Sequence, residues 1–159
     1  VNKLIYNIVK TMSYNLKLDK SAKSLSYRVE NQIFEINNKI FEFLKKKSNN
    51  FRKQVRICFN NSTRSRLHQM IIVQPSSIRV PIKQHPNKDK SYIFIKGKEE
   101  INIFNRYGKK IKKIKLGPNN PIVWLPKKTW HNNISLEKYS IHIETISGPF
   151  SEKKDRIYL

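Results

Sequence analysis

The sequence predicts a mainly β chain, a small barrel of short strands preceded by one α-helix. Three observations carry this. From residue 54 onward, short apolar runs alternate with turn residues at regular spacing, the pattern of a sandwich or barrel. Upstream, Val29, Ile33, Ile36, Ile40 and Leu44 recur every three or four residues, which is one face of a helix. A length of 159 residues suits a single domain with an N-terminal appendage and is enough to bury a core.

Residues 1–24 have weak periodicity and many polar side chains. They are expected to form a loosely ordered basic arm, with a short helix near residues 4–12. Residues 25–50 are assigned to the helix. Ser24 or Ser26 would cap it, Glu30 and Glu35 would favour its positive end, and Lys45, Lys46 and Lys47 would occupy its last turn before Ser48-Asn49-Asn50 ends it. Its apolar stripe is expected to pack on the following domain or on a second copy. Residues 51–150 are assigned to the barrel. The strands expected there cover 54–59, 68–74, 77–81, 91–96, 100–105, 109–116, 122–125, 133–135 and 139–147. Asn105-Arg106-Tyr107-Gly108 reads as a hairpin turn with Gly108 at positive φ, and Gly117-Pro118-Asn119-Asn120-Pro121 as a wider turn. Residues 151–159 are expected to form a charged surface tail.

Composition narrows the function classes. The 33 basic and 11 acidic residues give a net charge of +22, which attracts polyanions, anionic lipid and phosphorylated or carboxylated ligands. The abundance of Lys, Asn and Ile also fits compositional drift. A lone cysteine, Cys58, excludes an intrachain disulfide. No apolar run reaches the roughly 18 residues of a membrane span, and the first 18 residues lack the apolar core of a signal peptide. Cytoplasm is the expected compartment.

Two stretches concentrate residues with site chemistry: Lys83-Gln84-His85-Pro86 with Lys90 beyond it, and Pro126-Lys127-Lys128-Thr129-Trp130-His131. They resemble the two metal-binding motifs of a cupin, a jelly-roll β-barrel with His-x-His followed by Glu, then Pro-x-Gly-x-x-His. In a strand, residues i and i+2 share a face, so His-x-His aims two imidazoles inward. The chain resembles the WbuC-type cupins over residues 52–150. Also carrying the likeness are His85-Pro86-Asn87-Lys88, the run from Ser91 to Gly97, the hairpin from Ile103 to Gly108, and Ile143-Glu144 leading to Gly148-Pro149-Phe150.

The resemblance implies four metal ligands, and half of them are exchanged. Lys83 stands for the first His, Lys90 for the Glu, and Lys128 for the motif glycine. His85 and His131 keep the other two ligand positions. A protonated lysine cannot coordinate a metal and repels one nearby, so no cofactor is expected. A divalent metal on His85 and His131 stays open if His142 or Glu144 supplies a substitute ligand.

Three functions follow. In the first, the chain binds a small anionic or sugar-like ligand, with Lys83, His85, Lys90, His131 and Glu144 lining the pocket and Tyr92 and Trp130 flanking a sugar ring. The family's association with surface-polysaccharide gene clusters implies that setting. In the bland version, Lys83 and Lys90 reach out to water and pair with Glu144 or Asp89. In the second, His85 or His131 acts as the base of an isomerase or epimerase. In the third, surface lysines bind nucleic acid, through Lys45–Lys47 with Arg52, Lys53 and Arg56 or through Lys109, Lys110, Lys112, Lys113 and Lys115. The last set alternates with apolar residues as a solvated strand does, and no nucleic-acid signature accompanies it. A homodimer is expected from the habit of the family.

Overall fold

The computed structural model describes residues 16–30 and 33–159. The helix expected near residues 4–12 lies outside them. Two sheets form the fold. The larger has the order β1-β2-β3-β4-β11-β6-β9 and the smaller β12-β5-β10-β7-β8. Their strands do not hydrogen-bond to one another, so the sheets face each other as two layers rather than closing into the expected barrel.

In the larger sheet β1 (Leu16–Leu18) and β2 (Leu25–Val29) form an antiparallel pair, and β2 runs parallel to β3 (Val55–Cys58). β4 (Leu67–Pro75) and β6 (Lys90–Lys96) flank β11 (Tyr139–Ser147), and β9 (Ile122–Leu125) is an outer strand. The smaller sheet holds β5 (Lys83–Gln84), β7 (Glu99–Phe104), β8 (Lys110–Leu116), β10 (Trp130–Ser135) and β12 (Ile157–Tyr158). The helices are α1 (Asn38–Phe51) and the single turn α2 (Glu152–Asp155).

The helix expected from residue 25 starts thirteen residues later. Leu25-Ser26-Tyr27-Arg28-Val29 alternates apolar and polar residues, and pairing with β1 and β3 on its two sides decides the state. Ile33, counted in the helical stripe, is 97% exposed. Asn37 is the true cap, its side chain accepting from the Lys39 and Ile40 amides, so neither Ser24 nor Ser26 serves. The helix runs one turn past Lys45–Lys47 and ends at Arg52, which adopts φ 47.

No strand forms at residues 77–81. Pro75 opens a turn there and Pro81 has no amide hydrogen for a ladder. The tail is not loose: Ile157 and Tyr158 pair with Gln84 and Lys83, which makes β12 the edge of the smaller sheet.

Alternation along the larger sheet sends residues to two different interiors. Tyr27, Val29, Val55, Ile57, Ile71, Val73 and Ile141 face outward and are covered by Ile40, Phe43 and Leu44 of α1. Tyr27 and Phe43 meet edge-on with ring centroids 5.3 Å apart. Between the sheets lie Tyr92, Ile101, Leu116, Val123 and Leu125 at one end and Cys58, Met70, Ile72 and Ile146 at the other. Polar side chains fill the space between these two clusters. The lysines of β8 are exposed, two of them facing Glu100 at 4.0 and 3.8 Å, and β8 is an edge of the smaller sheet. Lysine on an edge strand discourages pairing with other chains.

Leu44 is fully buried under the helix. We expect Leu44→Ala to lower unfolding stability by roughly 2–5 kcal/mol through lost burial and an unfilled cavity. Urea denaturation followed by circular dichroism measures this, and a loss under about 0.5 kcal/mol would show that α1 does not anchor the sheet.

Candidate functional site

Register brings the motif residues together. His131 on β10 lies opposite Lys83 on β5. On the facing sheet, Glu144 lies opposite Tyr92, and Ile146 opposite Lys90. The two motifs therefore meet across the interior. Trp130 does not join them. It alternates with His131 and Asn133 along β10 and so projects from the other side of the sheet, which removes it as a ring-stacking partner inside.

Lys90 is almost fully buried, and its ammonium lies 3.1 Å from Glu144 and 3.2 Å from the Tyr92 hydroxyl. It does not reach out to water as the bland reading has it. Burial alone would raise the Glu144 carboxyl, but Lys90, Lys83 and Arg56 outweigh it and hold the group well below the carboxylate range. Burial lowers Lys90, and Glu144 opposes that shift. Burial and then the charge of Lys90 push Lys83 well down. Among the described residues the Lys83 ammonium forms no ion pair. Asp89 instead accepts from the Lys127 amide at 2.8 Å.

Two imidazoles stand beside this pair, with ring centroids 5.8 Å apart. His85 Nδ1 is 2.6 Å from the Asp155 carbonyl and His131 Nδ1 is 2.8 Å from the Thr129 carbonyl. A carbonyl can only accept, so each Nδ1 carries the proton and each Nε2 keeps a lone pair. Both Nε2 atoms are buried without a partner. Burial, reinforced by Lys90, lowers His85 to about 3 and His131 to about 2. His142 makes a third such ring: its Nδ1 donates to Glu99 at 2.8 Å, and its Nε2 is also unpartnered. Glu99 accepts from Asn133 as well, at 2.7 Å. Tyr92 sits edge-on to His131 and His142, at 6.2 and 5.3 Å.

Several of these partners were not anticipated from the sequence. Glu99 and Asn133 became visible only with the register of β7 and β10. Asp155 was assigned to a surface tail, yet it is buried, its carbonyl fixes the His85 tautomer and its carboxylate holds Lys88 at 2.8 Å.

The chain matches no family model and no curated protein. Solved structures do resemble it. The capsular polysaccharide assembling protein CapF from Staphylococcus aureus superposes with a TM-score of 0.59 at 14% identity, over 95% of this chain and 33% of CapF. Protein SO0799 from Shewanella oneidensis gives 0.52 at 15% identity, over 64% of this chain and 66% of that one. The fold is that of the cupins. At such identities the likeness is one of fold alone. This chain spans about a third of CapF and just under two thirds of the Shewanella protein. No described helix is long and apolar enough to cross a membrane.

Cupins often hold a metal, and part of this site has the features of one that does. A free Nε2 with Nδ1 tied to an acceptor is how a metal-binding imidazole is usually held. The rest of the site does not suit a divalent cation. Glu144 is paired with Lys90, and His142, although its Nε2 is free, does not come together with His85 and His131 to hold an ion. Among the described residues no three His, Cys, Asp or Glu side chains come together to hold an ion.

The neutral histidines set the response to acid. In the unfolded chain they gain a proton near the ordinary value of 6.5, whereas in the folded chain they do so only at about 3 and about 2. Between these limits the unfolded chain binds more protons, so stability falls as pH drops below 6.5, by up to about 1.4 kcal/mol per histidine per pH unit. We expect urea midpoints to decline from pH 7 to pH 4, and His131→Gln to flatten the decline. An unchanged slope in that variant would mean that His131 titrates normally.

Proposed function

We propose that this chain binds a small, anionic, hydroxyl-bearing ligand between its sheets, of the kind a sugar acid or sugar phosphate represents. The observation that carries the reading is the pair of interior lysines, Lys83 and Lys90, standing where the family resemblance implies metal ligands. Glu144 neutralises one of them. Lys83 forms no ion pair with a described residue, so an anion beside it would supply the countercharge that opposes burial and Lys90, and the unprotonated Nε2 atoms of His85 and His131 accept hydrogen bonds from ligand hydroxyls.

A place in surface-polysaccharide metabolism is supported by the resemblance to WbuC-type cupins and by the fold shared with a capsular polysaccharide assembling protein. The reading of His85 or His131 as the base of an isomerase has less support. A general base works best with a pKa near the working pH, and burial takes both rings far below it.

Thermal melting with glucose 1-phosphate, glucuronate and glucose tests the proposal, since a ligand specific for the native state raises the melting temperature. We expect both anions to stabilise the protein, glucose to do so far less, and Lys83→Met to abolish the difference. Equal shifts for all three compounds, or none for any, would refute an anion site.

A further inference from the structure

A cleft of about 240 Å³ opens beside the interior site, between the β1–β2 hairpin, the inner face of β3, β4 and β11, and the segment after Phe150. It approaches the lower end of small-molecule sites, roughly 300–1,000 Å³. Glu144 lines it, so the cleft and the Lys90–Glu144 pair share a wall.

The charges in the cleft fall into two classes. Most are already matched. Arg28 holds Asp19 at 2.7 Å and donates to the Asn60 carbonyl at 3.1 Å, Lys23 holds Glu152 at 2.7 Å, and Glu144 is taken by Lys90. Two guanidinium groups are not matched. Arg56 donates only to neutral acceptors, the Gln54 side-chain oxygen at 3.0 Å and the Met70 sulfur at 3.6 Å, and its buried Nε has no partner. Arg156 lies over the Phe150 ring at 4.9 Å, and its Nε is likewise buried without a partner. Neither forms an ion pair with a described residue. Each group is thus placed by its neighbours without a carboxylate in ion-pair contact, although Glu144 acts on Arg56 and Glu152 on Arg156 from farther away.

We propose that Arg56 and Arg156 clamp the oxyanion end of the ligand in this cleft. The ligand class is one presenting paired oxygens, a phosphate or a carboxylate, because a planar guanidinium meets two oxygens at once. The proposal rests on the reading of the interior as an anionic-ligand site. It adds how the ligand is oriented: the arginines grip the oxyanion from the cleft, Lys83 acts on it through the same region, and the hydroxyls extend past Glu144 toward the imidazoles. It also gives the tail a function, since Arg156 follows the turn that holds His85 through Asp155.

Isothermal titration with glucose 1-phosphate and glucuronate, on wild type, Arg56→Lys, Arg156→Lys and Lys83→Met, tests this. Lysine keeps the charge and removes the fork, and melting of each ligand-free variant verifies folding. We expect each Arg→Lys change to weaken binding about tenfold or more, as loss of a charge-assisted hydrogen bond does. A larger loss for glucose 1-phosphate than for glucuronate would identify phosphate as the preferred group, and the reverse a carboxylate. Wild-type affinity in both Arg→Lys variants, with binding lost in Lys83→Met, would overturn the clamp and leave the interior anion site standing. Failure of wild type to bind either probe would overturn both.

Discussion

The contact between Lys90 and Glu144 governs the interior. Two charges removed from water cost several kcal/mol each unless paired and hydrogen-bonded. Here they are 3.1 Å apart, with the Tyr92 hydroxyl as a further partner. The neighbours follow from that pair. An ammonium in the interior helps burial keep His85 and His131 neutral, and neutral rings need only a carbonyl at Nδ1. Replacing either member alone leaves the other without compensation.

The outer layers of this organisation were legible in the sequence and the inner ones less so. The strands after residue 54 follow from their turns and alternation, and the placing of His85, Lys90 and His131 in one interior follows from the motif likeness. What failed did so for identifiable reasons. Leu25–Val29 is consistent with either period, and only the neighbouring strands settle it. Trp130 drew notice beside His131, but adjacent residues in a strand cannot share a face. The departure at Lys128 was visible as an exchange for glycine, and the backbone shows why glycine belongs there: φ is 66, in the left-handed region. Its amide reaches the His85 carbonyl at 2.8 Å, so the conformation links the two motifs directly.

The charge of +22 divides into two populations. The lysines of β8 are exposed along an edge of the smaller sheet and serve solubility and the avoidance of strand addition. Those near Glu144 are different in kind, because Lys83, Lys90, Arg56 and Arg156 all act on one another through a poorly solvated region. Composition could not separate these populations, since a lysine counts the same in both.

His85 and the carbonyl that orients it are 70 residues apart in the chain. Between them lie six of the twelve described strands, three from each sheet, so this tie closes a long loop across an assembled scaffold. The outer core beneath α1 draws on neither residue. The packing under α1 and the tie on His85 are separate sets of contacts, so opening of residues 151–158 would free the His85 tautomer without touching the first. Amide exchange in the Ile157–Tyr158 strand reports the second set and not the first.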